Sequence, residues 1–190
     1  DKYGHVSQLV GKIADIHRQK QSMQRLIRQA DSEPLTGLLN RGAMERNIKG
    51  FLEGEGVYGT HALLMLDFDN FKAVNDTLGH TKGDDLLVSF ASGIKRIFRV
   101  GDYASRIGGD EYMVFVKNIF EDVVVLEKAE QLREEMTNLS RKIGISVSLS
   151  VGISVYNRDG ETFERLYQAA DEALYHVKNN GKNAISFFSM

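Results

Sequence analysis

The sequence predicts an α+β fold in which helices pack around a mixed sheet behind an N-terminal helix. Apolar runs of strand length alternate with segments of helical periodicity in the order β-α-α-β-β-α-β-α-β. The first 31 residues instead repeat apolar side chains every three or four positions, and Pro34, the only proline, follows them. We therefore expect a coiled-coil segment over residues 1–31 and one domain over residues 32–190, with helices mainly on one face of its sheet.

The composition is that of an ordinary globular protein and excludes several classes. The 190 residues are 42% hydrophobic and 26% charged with a formal net charge of -2, which predicts neither a nucleic-acid-binding protein nor a disordered acidic chain. Without cysteine there is no disulfide framework, thiolate metal site or cysteine catalysis. No apolar run reaches transmembrane length and nothing resembles a signal peptide. We expect a cytoplasmic location, and no direct membrane insertion of this chain.

The chain begins at Asp1 and not at Met. We therefore expect it to be a piece of a longer protein, which could be membrane-anchored and would carry a sensor upstream of this segment.

The N-terminal segment carries a heptad pattern. The positions that repeat every three or four residues are apolar except for Lys20. The apolar ones are Val6, Leu9, Ile13, Ile16, Met23, Ile27 and Ala30. An amphipathic helix lying on its own domain would show the same pattern. We favour a parallel pairing with a second chain, because Pro34 ends the segment before any core strand begins.

The remaining elements follow from periodicity and turn residues. The run HALLMLDFD at residues 61–69 predicts a buried strand that ends in two carboxylates, and residues 103–107 and 111–117 predict a hairpin around Gly108–Asp110. Further strands are expected over residues 144–156 and 184–188. Helices are expected over residues 41–52, 71–78, 84–98, 121–139 and 161–177.

Two pairs of acidic residues stand where strands begin or end. Asp67 and Asp69 end the first strand, and Asp110 and Glu111 occupy the hairpin tip. Since the first strand of an α+β sheet commonly lies beside such a hairpin, these carboxylates could converge. Carboxylates without nearby His or Cys suit magnesium, which is normally shared with substrate phosphates. The set therefore indicates a nucleoside triphosphate site, although each acid alone could be a solvated turn residue.

Glycines and lysines add to this interpretation. Gly108 and Gly109 allow a phosphate or a partner strand to approach closely and permit positive φ. Lys178 and Lys182, four residues apart in KNNGK, could offer charge to the outer phosphates. A basic helix C-terminus that complements the helix dipole would account for these lysines equally well.

Five segments together resemble the GGDEF family of diguanylate cyclases, in the family's order and spacing. They are EPLTGLLNR at 33–41, LDFDNFKAVNDTLGH at 66–80 with GDDLL at 83–87, RIGGDEY at 106–112, SVGIS at 150–154 and ADEALYHVKNNGKN at 170–183. The resemblance covers about residues 33–188. It implies a sheet like that of polymerase palms and nucleotidyl cyclases, and a bacterial signalling enzyme. That enzyme would join two GTP into cyclic di-GMP with release of two pyrophosphates at a homodimer interface.

The resemblance also implies the metal and catalytic residues. Asp67, the backbone carbonyl of Phe68 and Asp110 would hold two Mg²⁺ ions, for which Mn²⁺ could substitute. Glu111, beside the catalytic Asp110, would lie against the ribose 3′-hydroxyl and help to deprotonate it. That oxygen would attack the α-phosphate of the GTP on a facing subunit.

The remaining substrate contacts are implied in the same way. Asn75 and Asp84 would read guanine, because a carboxylate accepts hydrogen bonds from N1–H and N2–H₂ that adenine cannot supply. His80 lies beside that pocket, where the role of a structural loop histidine is at least as well supported. Lys178 and Lys182 would bind the β- and γ-phosphates.

A control site is implied by Arg99 and Asp102, which form an RxxD pattern five residues before Gly108. Family members often carry an allosteric product-inhibition site there, and an arginine fork with a carboxylate suits cyclic di-GMP. A helix C-terminal arginine pairing with a turn aspartate would produce the same pattern.

Three residues depart from the family pattern without removing a metal ligand or guanine reader. Tyr112 replaces the family's usual Phe, and Glu33 replaces the more frequent Asp. Lys182 replaces the usual Arg, so a point charge takes the place of a bidentate guanidinium. The alternative function is a catalytically weak or inactive module that binds GTP or cyclic di-GMP and regulates a partner.

Overall fold

The computed structural model describes residues 16, 18–23 and 30–189 of the chain. The chain divides into two units, residues 1–32 and 33–190. In the first unit the described residues 16, 18–23, 30 and 31 are helical. Four of the eight positions of the predicted heptad seam, Val6, Leu9, Ile13 and Ile27, lie outside the described residues. The pairing of this segment stays a prediction. None of the helices that the structure describes is long and apolar enough to cross a membrane.

The second unit is the predicted α+β fold with a mixed sheet. The helices over residues 33–189 are α1 (Arg41–Leu52), α2 (Phe71–Leu78), α3 (His80–Ile97), α4 (Asp122–Ile143) and α5 (Phe163–Asn179). The strands are β1 (Ala62–Asp69), β2 (Tyr103–Gly108), β3 (Glu111–Val116), β4 (Ser148–Val155) and β5 (Ile185–Phe187). Their order in the sheet is β2-β3-β1-β4-β5, and only β4 and β5 run parallel.

The bounds of three helices differ from the prediction by two residues or more. Helix α5 spans Phe163–Asn179 instead of residues 161–177, and the other two differ at a glycine. Gly79, with φ 84°, separates α2 from α3 and lets α3 begin at once, at residue 80 instead of residue 84. Helix α4 continues to residue 143 instead of residue 139 and ends at Gly144, whose φ of 70° is the usual left-handed helix stop.

The central strand β1 is buried on both faces. It pairs antiparallel with β3 on one side and β4 on the other. Its side chains alternate between two cores, with Leu64 and Leu66 in one and Leu63 and Met65 in the other. A continuous apolar run such as ALLML is typical of a strand covered on both sides.

The expectation that the helices lie mainly on one face of the sheet is wrong. Helices α3 and α4 contribute Phe90 and Leu132 to the core on one face, whereas α1 and α5 contribute Ile48 and Leu166 to the core on the other. The physical reason is that an apolar strand buried on both faces requires cover from helices on both.

Helix α5 lies directly on β4 at Gly152. A Cβ atom at this position would lie 2.1 Å from the carbonyl oxygen of Ala170 and 2.3 Å from the backbone nitrogen of Leu174. Neither backbone atom can move without displacing the helix, so this contact depends on the absence of a side chain.

His61 is a buried histidine held in one tautomer. Its Nδ1 accepts a hydrogen bond of 2.9 Å from the Asn118 N–H, so Nε2 carries the proton and donates to the Gly56 carbonyl at 2.8 Å. The ring packs edge-on against Phe51 at 5.0 Å. Burial lowers the pKa of His61, and the charge of Lys117 lowers it further, against the opposing hydrogen bond to Gly56.

We expect Gly152→Ala to lower the free energy of unfolding by about 3 kcal/mol or more, because α5 must shift off the sheet. Gly50→Ala is the matched control. Gly50 lies in α1 with nothing within 4 Å of an added Cβ, so this change should stabilise the fold by about 0.5–1 kcal/mol. Urea denaturation of both variants checks the pair, and equal effects would contradict the close contact.

We expect His61 to make the fold less stable at mildly acidic pH. Its folded-state pKa lies below the unfolded value of about 6.5, so below that pH the unfolded chain binds a proton that the folded chain does not. About 1 kcal/mol should be lost between pH 7.5 and 5.5. Urea unfolding at both pH values should show a smaller loss for His61→Gln, which cannot ionise; an equal loss would speak against this role.

Candidate active site

The first strand and the hairpin tip meet at one end of the sheet. Asp67, near the end of β1, lies opposite Glu111 on β3 and opposite Ser150 on β4. Asp110 precedes Glu111 in the turn between β2 and β3. The antiparallel pairing of neighbouring strands therefore brings Asp67 to the adjacent pair Asp110 and Glu111, which lies more than 40 residues further along the chain.

Burial and neighbouring negative charge raise the pKa values of Asp110 and Glu111. Burial raises the pKa of Asp110 and the charge of Asp67 adds to it, while Lys178 opposes the shift. Burial also raises the pKa of Glu111, followed by the charges of Asp67 and Asp110, with Arg41 in opposition. A site that disfavours its own negative charges is one that a cation stabilises.

The glycines leave open space at the hairpin tip. Nothing lies within 4 Å of a Cβ added at Gly108 or Gly109, and Gly109 has a φ of 48°. The strand register shifts between Arg106 and Gly108, and Gly108 still pairs with Glu111. Backbone at the tip is therefore accessible to a ligand without side chains in its way.

Arg106 ties this tip to the segment that precedes α1. Its Nε donates to the Gly109 carbonyl at 2.8 Å and its Nη1 to Glu33 Oε1 at 3.0 Å. The Glu33 carboxylate also accepts from the backbone N–H groups of Leu35 at 3.1 Å and Thr36 at 2.9 Å. Arg106 was not predicted as a site residue, since nothing in its local sequence shows a partner 73 positions away.

Tyr112 packs directly beneath the site. Its ring stacks on Phe68 with centroids 5.6 Å apart, and its hydroxyl donates to the Leu87 carbonyl at 2.9 Å. The hydroxyl that distinguishes this residue from the family's usual Phe is therefore satisfied within the core.

Lys178 reaches the carboxylates from the last turn of α5. Its Nζ donates to Asp69 Oδ1 at 2.9 Å and to the Phe68 carbonyl at 3.2 Å, and it forms an ion pair with Asp67 Oδ1. Burial lowers the pKa of Lys178, but the bonds to Asp67 and Asp69 prevail and hold it above its usual range. The ammonium thus lies among the oxygens at the end of β1.

Asp69 is the most tightly held carboxylate of the cluster. Its side chain is 1% exposed and accepts hydrogen bonds from Ser148 Oγ and Ser150 Oγ, each at 2.8 Å, and from the Asn183 N–H at 3.0 Å. Burial raises the pKa of Asp69, but the bonds from Lys178 and these partners outweigh it and lower the pKa overall. We predicted Asp69 only as an acid at the end of a strand; the serines that fix it lie on another strand.

The residues fit a metal ion that arrives with its own ligands. Among the residues that the structure describes, no three His, Asp or Glu side chains form a cluster that could hold a metal. Asp67, Asp110 and the Phe68 carbonyl offer part of an octahedral set, and Mg²⁺ commonly completes such a set with substrate phosphates and water. The donor chemistry therefore suits a metal–triphosphate complex better than a free ion.

The predicted guanine readers lie on the helix pair that follows β1. Asn75 is half-buried on α2, while His80 and Asp84 are exposed at the start of α3. The two helices approach at Gly83, where an added Cβ would lie 2.0 Å from Asn75 Oδ1. The structure therefore places Asn75 next to the first turns of α3; guanine recognition by these residues stays a prediction.

The two predicted phosphate lysines differ in their surroundings. Lys182 is exposed in the turn after α5, with a φ of 62°, and its N–H donates to the Val177 carbonyl at 3.0 Å. Its ammonium forms no ion pair with any of the described residues. Lys178, in contrast, is engaged with carboxylates on β1.

Arg99 and Asp102 lie away from the carboxylates, in the turn between α3 and β2. The Asp102 side chain is 1% exposed and accepts from the N–H groups of Arg99 at 3.3 Å and Lys117 at 3.1 Å. The guanidinium of Arg99 is 59% exposed, with its Nε 3.4 Å from Asp102 Oδ1, and its Nη2 donates to the Lys117 carbonyl at 2.5 Å. Asp102 thus closes the turn, while Arg99 keeps much of its surface accessible.

Comparison with known proteins gives consistent results. The family model "Diguanylate cyclase, GGDEF domain" matches residues 30–184. Diguanylate cyclase DgcM of Escherichia coli (strain K12) is 30% identical over 174 residues, which cover 91% of this chain and 42% of that protein. Diguanylate cyclase A of Treponema denticola is 38% identical over 129 residues, which cover 67% of this chain and 35% of that protein. The chain therefore spans less than half the length of these relatives.

The fold is similar to that of a solved structure. The coiled coil and GGDEF domain of DgcB from Caulobacter crescentus, in complex with c-di-GMP, aligns with a TM-score of 0.82 at 27% identity. The alignment covers 95% of this chain and 97% of that one. With a family match over most of its length and a sheet that places the signature carboxylates beside β1, this chain belongs to the GGDEF family.

Proposed function

We propose that this domain is a diguanylate cyclase that condenses two GTP into cyclic di-GMP and releases two pyrophosphates. The observation that carries the proposal is the pairing of β1 with β3, which sets Asp67 against Asp110 and Glu111 at an open, glycine-lined tip. The relatives named as diguanylate cyclases support the same activity.

In this proposal Asp67, Asp110 and the Phe68 carbonyl hold the metal. A divalent ion, Mg²⁺ or in its place Mn²⁺, would neutralise charge on the triphosphate and orient it for in-line displacement. The raised pKa values of Asp110 and Glu111, caused first by burial and then by Asp67, agree with a site built to receive positive charge.

Glu111 is the proposed proton acceptor for the attacking group. Its carboxylate stands at the start of β3, exposed to the cleft, where it would take the proton of a ribose 3′-hydroxyl. The 3′-oxygen then bonds to the α-phosphorus of the facing GTP, and the bond from that phosphorus to the bridging oxygen breaks as pyrophosphate leaves.

The other substrate contacts come from helices around the sheet. Asp84 would accept hydrogen bonds from the guanine edge, together with Asn75 and His80, and the close approach of α2 and α3 at Gly83 supports this assignment. Lys178 and Lys182, at the end of α5, would bind the β- and γ-phosphates as point charges.

A second copy of the domain is required, because each domain supplies one GTP and the two must face each other. We infer that the heptads of residues 1–31 join two domains and transmit the state of an upstream sensor to them. The partners of this domain are therefore GTP, cyclic di-GMP and another copy of itself, without nucleic acid. We place the domain in the cytoplasm, where GTP is available.

A non-catalytic module that binds GTP or cyclic di-GMP is the second candidate. Two departures from the family pattern favour it: Tyr112 replaces the usual Phe, and Lys182 replaces the usual Arg. The buried partner of the Tyr112 hydroxyl weakens the first argument, and the exposure of Lys182 leaves the second open to test. Calorimetric binding of GTP without turnover would favour this candidate.

We expect the protein to form cyclic di-GMP from GTP and Mg²⁺, with specific activity rising with protein concentration as domains pair. Asp110→Ala should lose at least about a hundredfold in rate, since it removes a metal ligand. Asp85→Asn is the control, because Asp85 is exposed on α3 and pairs only with Lys82 among the ion pairs of the described residues. Chromatography of the products measures both variants. No product at high protein concentration, with Asp110→Ala indistinguishable from wild type, would refute the activity.

We further propose that cyclic di-GMP inhibits the enzyme allosterically through Arg99 and Asp102. The support is the exposed guanidinium of Arg99 beside a carboxylate that orders its turn. An accessible arginine fork offers bidentate bonds to a phosphate or to the guanine edge.

Arg99→Ala should raise the cyclic di-GMP concentration needed for half-inhibition by roughly tenfold, since it removes a bidentate charged contact. Arg96→Ala is the matched control, because Arg96 lies in the last turn of α3, three residues before Arg99, and pairs with Glu135. The measurement is the ratio of turnover rates with and without added cyclic di-GMP. Equal inhibition of Arg99→Ala and wild type would exclude this site.

A further inference from the structure

The ammonium of Lys178 occupies the place that the proposed function assigns to a metal ion. Two of the three oxygens that it contacts, Asp67 Oδ1 and the Phe68 carbonyl, are proposed metal ligands. An ammonium and a divalent ion repel each other and require the same lone pairs. They cannot share these oxygens, so Lys178 must leave them when a metal binds.

The third oxygen of this set belongs to Asp69, which the proposed reaction does not use. Its carboxylate is held from two other sides, by Ser148 and Ser150 on β4 and by the Asn183 N–H from the turn after α5. Such a carboxylate, buried and satisfied by fixed donors, is a rigid anchor for an ammonium. Lys178 can therefore release Asp67 without losing its bond to Asp69.

Asp69 also fixes the segment that carries the second lysine. The Asn183 N–H that it accepts lies directly after Lys182, and both residues have positive φ. The carboxylate of Asp69 thus contacts Lys178 by an ion pair and the turn of Lys182 through the backbone. One buried side chain sets the position of both proposed phosphate ligands.

We propose that Asp69 is a positioning residue that holds Lys178 in the cleft as an internal counter-ion. In the absence of nucleotide the ammonium neutralises Asp67 and hinders the binding of a lone divalent ion. When a metal–triphosphate complex enters, the phosphates attract the ammonium away from Asp67 and the Phe68 carbonyl while Asp69 retains it. Metal binding thereby depends on the triphosphate. This inference rests on the metal ligands of the proposed function.

The first test measures metal alone. Mn²⁺ is titrated without nucleotide into the full chain and followed by electron paramagnetic resonance. Lys178→Met should bind Mn²⁺ roughly tenfold more tightly than wild type, because a positive charge leaves the ligand set. Lys182→Met is the matched control: it removes the same charge from the same segment, but from an ammonium without an ion pair among the described residues. It should bind as wild type does. Equal or weaker Mn²⁺ binding by Lys178→Met would overturn the counter-ion role.

The second test measures positioning. Asp69→Asn keeps an acceptor oxygen for the serines but removes the charge that holds Lys178. With 3′-deoxy-GTP and Mg²⁺, a pair that cannot react, calorimetry should show roughly tenfold weaker nucleotide binding in the wild-type background. In the Lys178→Met background the same change should weaken nucleotide binding by less than about twofold, because Asp69 acts through Lys178. Equal losses in both backgrounds would overturn the positioning role.

These outcomes are separate from the proposed activity. Neither titration involves turnover, so a protein that makes no cyclic di-GMP could still show both effects. If Asp69→Asn does not fold, the Mn²⁺ titration of Lys178→Met still decides the counter-ion role.

Discussion

The repulsion among carboxylates at the end of β1 is the constraint on which the rest of the site depends. Asp67, Asp110 and Glu111 are brought together by a strand that is paired on both edges and covered on both faces. Such an arrangement requires positive charge. In the structure Lys178 supplies it to Asp67 and Asp69, while burial and the charge of Asp67 raise the pKa values of Asp110 and Glu111. A metal-bound triphosphate is the ligand that completes the neutralisation.

The scaffold holds this unfavourable charge through contacts distant in sequence. Arg106 fastens the hairpin tip to Glu33, and the hydroxyl of Tyr112 fastens β3 to the Leu87 carbonyl in α3. On the other side Gly152 lets the backbone of α5 lie directly on β4, which brings Lys178 within reach of β1. Apolar burial and a few buried hydrogen bonds therefore offset the cost of clustering like charges.

The two lysines at the end of α5 lie in different surroundings. In the sequence they form a basic pair four residues apart. In the structure Lys178 pairs with carboxylates, whereas Lys182 is exposed. An enzyme whose metal ligands are occupied by its own ammonium would bind metal and nucleotide together, because the phosphates supply what draws the ammonium away. Because Asp69 retains the ammonium, Lys178 needs to move only a short distance when it leaves Asp67.

The sequence by itself determined the order of the elements, the α+β class and the resemblance to the GGDEF family. Apolar periodicity reports local burial, and glycines and carboxylates at strand ends report local turns. The sequence predicted neither the helices that cover both faces of the sheet nor the contact of Lys178 with Asp69. Those residues are 109 positions apart, and their approach depends on how β4 and α5 pack against β1. Only the tertiary structure decides such pairings, because local patterns carry no information about which distant surfaces meet.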